Sequence, residues 1–183
     1  MLRVLALLSV TAVLAACGGE QRPHQVNVYA PTQGTIDTML VAAKRWNQSG
    51  ANVHFTVVRY RKDADVVVVR DDARLRQLCG RLCFGLTHGR KLFLRESLAE
   101  LTPLSVWVGV HELGHVLGLP HDTNHACTVM APHWFDTRCA PSLSTTKGSE
   151  LDPRCAPAPV DVEAAIKRYG GSVAKRDPYC SGT

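Results

Sequence analysis

The sequence predicts a single α/β domain, on three observations. Strand-like and helix-like segments alternate between residues 26 and 169. The run at residues 64–69 is almost continuously apolar, which suits a strand buried on both faces, as in parallel sheets. The chain has 183 residues, of which 45% are apolar, enough for one domain with a hydrophobic core.

The first predicted elements are a strand and a helix. Residues 26–30 have the composition of a strand. Thr35 is a candidate N-cap for the helix that follows, and Gly50 lies just past its expected end. Apolar residues recur between them at helical spacing: Ile36, Met39, Leu40, Ala43 and Trp46.

Four strands are predicted in the middle of the chain. Residues 53–60 are rich in β-branched and aromatic side chains, and pattern alone pairs them as a hairpin with residues 64–69. Residues 82–87 and 91–95 flank a three-residue loop at 88–90, which predicts a second hairpin.

Two helices are predicted in the second half. Thr102 as N-cap and Pro103 in the first turn begin a helix that runs to about Leu117. Residues 140–159 are rich in Pro, Ser and Thr and are expected to form a loop. A last helix spans residues 160–169, stopped by two glycines.

The N-terminus is typical of an exported lipoprotein. One basic residue, Arg3, precedes an apolar run at residues 4–16 that is too short for a permanent membrane span. Residues 14–18 read LAACG, which resembles the lipobox of bacterial lipoproteins and implies lipid attachment to Cys17. The alternative is an ordinary small-residue cleavage site beside an incidental cysteine.

Six further cysteines remain: Cys79, Cys83, Cys127, Cys139, Cys155 and Cys180. An even number in an exported chain predicts three disulfides, with connectivity left open. The formal net charge of +5 is interpreted as a mixed, solvated surface, and nucleic-acid binding is not expected. The chain is expected to be a monomer.

The strongest motif is HELGHVLGLPH at residues 111–121. His111 and His115 are four positions apart, so on a helix both rings share one face and can bind one Zn²⁺. Glu112 lies about 100° around the helix, where it can act as a general base toward a metal-activated water. Gly118 allows the sharp turn that brings His121 to the metal. Three imidazoles leave one position open, as a catalytic site requires.

This motif resembles that of the metzincin metalloproteases. The resemblance implies an α/β fold with a mostly parallel twisted sheet, one antiparallel edge strand, an active-site helix and a C-terminal helix. It also implies a methionine turn, here at Met130, that forms an apolar floor beneath the metal. The parallel arrangement implied by the family replaces the hairpin that pattern alone predicts for residues 53–69.

Residues 53–69 and 162–170 look like the matrixin branch, whereas Asp122 after the third histidine is typical of reprolysins. The resemblance makes residues 82–88 the edge strand above the cleft, so Gly85 and Leu86 are candidate substrate contacts. In relatives the segment after the methionine turn lines a substrate pocket, which makes His133 and Trp134 candidates. Residues 70–82 offer few ligands, so one catalytic zinc ion is expected and no structural ion.

We therefore expect a lipoprotein signal peptide at residues 1–16, a lipidated tether at 17–25 and a zinc peptidase domain at 26–183. The expected activity is hydrolysis of internal bonds in a protein or peptide substrate, outside the cytoplasm, with the membrane reached through the lipid at Cys17. The alternative is a zinc-containing surface lipoprotein that binds a partner without cutting it. Glu112 argues against that alternative, because binding alone does not need a general base.

Overall fold

The computed structural model describes residues 22–125, 128–132 and 156–175. Five strands in this part form one sheet: β1 His24–Tyr29, β2 Val53–Val58, β3 Val66–Arg70, β4 Gly85–His88 and β5 Lys91–Leu94. Its helices are α1 Gln33–Asn47, α2 Asp72–Cys79, α3 Pro103–Val116 and α4 Pro159–Tyr169. None of the helices in these residues has both the length and the apolar character needed to cross a bilayer.

The sheet has the strand order β2-β1-β3-β5-β4. β1 pairs in parallel with β2 and with β3, and β3 pairs in parallel with β5. β4 lies at one edge and is antiparallel to β5. The mostly parallel sheet with one antiparallel edge is confirmed, and the hairpin that pattern alone predicts for residues 53–69 is wrong. β1 lies between β2 and β3, so its fully buried residue Val28 is in the interior of the sheet and not at an edge.

Helix α1 packs against α3, and a buried polar contact fixes the pair. The Trp46 side chain is fully buried, and its indole N–H donates to the carbonyl of Val110 at 2.9 Å. Gly109 allows the close approach, since a Cβ there would lie 2.9 Å from the terminal methyl of Met39. Close packing against α1 therefore fixes the position of α3, the helix that carries His111 and His115.

Two local predictions need correction. Helix α1 begins at Gln33 with Thr32 in the N-cap position, so Thr35 lies inside the helix and is buried. Helix α2 was not expected from the sequence, although Asp71 caps it by accepting the backbone N–H of Arg74 at 2.8 Å. A disulfide joins Cys79 at the end of α2 to Cys83 just before β4. The other four cysteines expected to pair lie outside the described residues.

Candidate metal centre

His111 and His115 lie on α3, and His121 follows the turn at its end. The Nε2 atom of His115 is 3.1 Å from the Nε2 atoms of both His111 and His121. The ligand atoms of the three rings all lie within 4.8 Å of one another. These residues could hold one metal ion, and the sequence had predicted the same three.

The other ring nitrogens of His111 and His115 fix their tautomers. Nδ1 of His111 contacts the carbonyl of Val129, and Nδ1 of His115 lies 2.8 Å from the carbonyl of Leu119. Because a carbonyl only accepts, each Nδ1 carries the proton and each neutral ring presents a bare Nε2. Two lone pairs 3.1 Å apart repel each other unless a cation lies between them. The donor set therefore fits a metal ion.

Burial keeps these rings neutral. Removal from water, reinforced by the nearby His115, lowers the pKa of His111 from 6.5 to about 3. Burial also lowers the pKa of His115. Neutral imidazole is the form that binds a metal, so at neutral pH neither ring has to lose a proton before binding. His121 is exposed, and the cluster opens to solvent on its side.

A Schellman-type turn directs His121 toward the helix. Gly118 has a φ of 75°. Its N–H bonds the carbonyl of His115 at 2.9 Å, while the N–H of Leu119 bonds the carbonyl of Gly114 at 3.0 Å. These bonds satisfy the last carbonyls of α3 and reverse the chain where a third ligand is needed.

Helix α4 stabilises the same turn from outside. The Arg168 guanidinium donates to the carbonyl of Gly118 at 3.0 Å, and the Tyr169 hydroxyl donates to the carbonyl of Leu117 at 2.8 Å. Both contacts join residues about fifty positions apart. Neither side chain can be linked to this turn from the local sequence.

Glu112 is buried between α3 and the edge strand β4, with 3% of its surface exposed. The Thr87 hydroxyl lies 2.8 Å from Oε2 of Glu112 and 3.1 Å from its backbone carbonyl. Gly85 also faces this carboxyl, because a Cβ there would lie 2.6 Å from Oε1. Burial raises the pKa of Glu112 from 4.5 to about 7, although the Thr87 hydroxyl opposes the shift. Such a group can exchange a proton near neutral pH.

Met130 lies under helix α3 and is 2% exposed. A Cβ on Gly114 would lie 2.3 Å from the Met130 sulfur, so glycine at this position allows the close packing. The backbone N–H of Asp122 bonds the carbonyl of Met130 at 2.8 Å. The methionine turn is thereby joined to the residue that follows the third histidine.

Asp161 at the start of α4 holds the methionine turn from the other side. Its buried carboxylate accepts backbone N–H groups from Val129 at 3.1 Å, Met130 at 3.3 Å and Ala158 at 2.9 Å. Val129 in turn presents its carbonyl to His111. Asp161 therefore positions a metal-ligand candidate through one intervening residue, a role that the local sequence around Asp161 does not reveal.

Asp122 and His125 form a surface pair. Nδ1 of His125 lies 2.8 Å from Oδ2 of Asp122, and the backbone N–H groups of Asn124 and His125 bond Oδ1. His125 does not belong to the three-histidine cluster. Of the other candidates, Leu86 lies half-buried on β4 opposite Phe93. The remaining three lie outside the described residues: Cys17, His133 and Trp134.

Comparison with models of known protein families finds no match to this chain. Comparison with curated proteins finds none of significant similarity.

Proposed function

We propose that this protein is a zinc-dependent endopeptidase of the metzincin type, with matrixin-like features. One observation carries the proposal: three converging imidazole nitrogens and a buried carboxyl at the next helix position lie beside an edge strand. Three neutral imidazoles are a typical ligand set of catalytic zinc sites, which keep one further coordination position open. His111, His115 and His121 would hold the ion.

Bound zinc supplies a Lewis acid, which polarises a carbonyl and makes a water molecule more acidic. Glu112 accepts the proton of the attacking water and later delivers it to the leaving amine. In the metal-free chain burial raises its pKa to about 7, and a cation held by the three histidines would lower that pKa and favour the carboxylate, the form that accepts a proton. The Thr87 hydroxyl orients the carboxyl and favours its ionised form.

The edge of β4 supports a peptide substrate over a small molecule. β4 pairs with β5 on one side, and within the described residues its other edge has no strand partner. An extended peptide can add there as a further strand through backbone hydrogen bonds. Gly85 and Leu86 would then contact the peptide backbone beside Glu112. Export and lipid attachment at Cys17 remain part of the proposal and place this activity outside the cytoplasm.

The test uses the processed chain that begins at Cys17, expressed under oxidising conditions. Its zinc content is measured, and it is incubated with a diverse peptide library. Glu112→Ala, a chelated sample and the control Glu163→Ala, which changes an exposed carboxyl on α4, are run in parallel. We expect one zinc ion, and cleavage by wild type and Glu163→Ala only. Bound zinc with no cleavage of peptides or folded proteins would favour the binding lipoprotein instead.

A further inference from the structure

The N-terminal end of β1 lies beside the last turns of two helices. The backbone N–H of His24, the first residue of β1, donates to the carbonyl of Asn52 at 2.9 Å. The ring of His24 stacks on that of Tyr169 in the last turn of α4, with 4.6 Å between the ring centroids. The start of β1 is therefore held between the segment that follows α1 and the end of α4.

The segment after α4 packs along the segment after α1. Three backbone hydrogen bonds join them: Asn52 N–H to the Gly170 carbonyl at 2.9 Å, Ser172 N–H to that of Gly50 at 2.9 Å and Ala174 N–H to that of Ser49 at 2.8 Å. The approach is close, because a Cβ on Gly50 would lie 1.9 Å from the Ser172 carbonyl oxygen. Residues 22–24, 44–53 and 167–175 therefore form one surface at the end of the sheet where β1 and β2 begin.

This surface, which we call the tether face, carries basic residues and no Asp or Glu. Its cations are Arg22, Lys44, Arg45, Lys167, Arg168 and Lys175. Arg168 is engaged at the metal turn, where it donates to the carbonyl of Gly118. Of the other five cations, Arg45 is half-buried and the rest are exposed.

The charge of these five cations is not neutralised by ion pairs. Across residues 22–125, 128–132 and 156–175, no carboxylate oxygen lies within 4.0 Å of any of them. Glu20 in the tether and Glu163, one turn before Lys167 on α4, are the acidic positions nearest to them in sequence. Five cations against two carboxylates leave a net positive field that attracts an anionic surface.

Apolar side chains are exposed beside the cations. Val173 on the tether face is 42% exposed and lies two residues before Lys175. Leu40 is 50% exposed and lies four residues before Lys44, on the same side of α1. Protein binding to an anionic bilayer strengthens both with buried apolar area and with electrostatic attraction, so this combination suits a membrane surface.

The proposed lipid anchor would hold the tether face close to the membrane. Cys17 and Arg22 are five residues apart, and an extended chain spans at most about 3.6 Å per residue, so the anchor lies at most roughly 18 Å from Arg22. Val58 lies at the other end of β2, roughly 17 Å from Val53 at a rise of about 3.3 Å per residue. A short tether therefore brings the end of the sheet that carries the tether face to the bilayer, and not the opposite end.

Building on the lipid anchor of the proposed function, we propose that the tether face is a docking surface for the anionic phospholipid headgroups of the membrane that holds the anchor. The lipid at Cys17 gives one point of attachment, and the tether face supplies a second that fixes the orientation of the domain on the bilayer. Each Lys or Arg close to an anionic membrane strengthens binding about fivefold.

The first test measures binding of the processed chain with Cys17→Ser, which carries no lipid, to sedimented vesicles. Vesicles of phosphatidylcholine alone are compared with vesicles that also contain phosphatidylglycerol. We expect binding about tenfold stronger to the anionic vesicles, falling severalfold between 50 and 500 mM NaCl because salt screens exposed charges. Equal binding to both vesicles, or binding to neither, would overturn the proposal. Binding of poly-glutamate without binding of vesicles would indicate a protein-docking surface and would also overturn it.

The test variant is Lys167→Gln/Lys175→Gln, which removes two exposed charges from the tether face. The matched control Arg61→Gln/Lys62→Gln removes two exposed charges past Val58, at the other end of β2. The test variant should bind anionic vesicles about tenfold more weakly than wild type, and the control should bind as wild type. Equal loss in both variants would show that binding follows net charge, not the tether face, and would overturn the proposal.

Hydrogen exchange locates the bound surface without reference to the lipid or to zinc. On anionic vesicles, exchange should slow in residues 44–53 and 167–175 and stay unchanged in residues 59–63. Protection of residues 59–63 instead would place the membrane at the opposite end of the sheet and refute the proposal.

Mass spectrometry of the protein made in a bacterium that processes lipoproteins tests the anchor separately. An unmodified Cys17 together with slowed exchange on the tether face would remove the anchor from the proposed function and support the docking surface. A lipidated Cys17 with no vesicle binding by the Cys17→Ser chain would leave the anchor and overturn the docking surface.

Discussion

The hydroxyl of Thr87 on β4 lies 2.8 Å from the carboxyl oxygen Oε2 of Glu112 on α3. This contact joins the sheet edge to the metal-motif helix, and within the described residues it is the one side-chain hydrogen bond of the Glu112 carboxyl. It supports the ionised form of a carboxyl that burial otherwise keeps protonated. Thr87 thus tunes the proposed general base.

Replacing Thr87 with valine should shift the acid limb of the pH–rate profile. The change keeps the side-chain shape but removes a hydrogen bond that favours the charged carboxyl, so the pKa of Glu112 should rise further. A hydrogen bond to a charged group contributes about 1.5–3 kcal/mol, which corresponds to about one to two pH units. The measurement is kcat/KM against pH for wild type, Thr87→Val and Thr87→Ser. Serine should restore the wild-type limb, and an unshifted valine profile would contradict this role.

The metal-free protein should lose stability through Glu112 as the pH rises. The folded-state pKa of about 7 exceeds the ordinary 4.5, so the folded state binds more protons between these values. The contribution of Glu112 to the free energy of unfolding therefore falls with pH across that window, by about 1.4 kcal/mol per pH unit or roughly 3 kcal/mol in total, whereas the lowered pKa of His111 contributes in the opposite direction below pH 6.5. Urea unfolding measures the free energy of unfolding of wild type and of Glu112→Gln. The value for wild type should fall relative to that of Glu112→Gln as the pH rises from 4.5 to 7. A constant difference would contradict the pKa shift.

Asp161→Ala should weaken both the fold and the metal site. It would leave the N–H groups of Val129, Met130 and Ala158 without their acceptor, at a cost of about 3–5 kcal/mol in unfolding free energy. It would also free the carbonyl that orients His111, and loss of such outer contacts reduces metal affinity about 10–100-fold. Chemical unfolding and zinc competition titration measure the two effects. Glu163→Ala on the same helix is the control, and unchanged zinc affinity for Asp161→Ala would refute the positioning role.

The sequence predicted what depends on local spacing. The helix position of His111 and His115 and the turn at Gly118 follow from intervals of a few residues, and the structure has both. Contacts between distant segments leave no spacing pattern in the sequence from which they could be predicted. Asp161 lies 32 residues from Val129, and nothing in its neighbourhood identifies its partner. The insertion of β1 between β2 and β3 likewise depends on tertiary packing, which a local hairpin pattern cannot reveal.

Helix α2 shows a second limit of prediction from the sequence, which concerns short and mostly exposed helices. It has eight residues, and only Leu75 among them is buried, so its apolar periodicity is too weak to detect. The capping residue Asp71 and the terminating Gly80 were the signals available.

Gly118→Ala should separate the placement of His121 from general stability. Gly118 has a φ of 75°, and a Cβ there would lie 2.8 Å from the Arg168 guanidinium. The backbone strain costs about 1–2 kcal/mol, and the displaced Arg168 would release its bond to the Gly118 carbonyl. Gly89→Ala is the matched control, since Gly89 has a φ of 58° and open space around its Cβ position. Both variants should lose stability in urea unfolding through backbone strain, with a further small loss in Gly118→Ala from the Arg168 bond, while zinc affinity falls at least tenfold only in Gly118→Ala. Equal zinc affinity in the two would show that the Gly118 turn does not set the position of the third histidine.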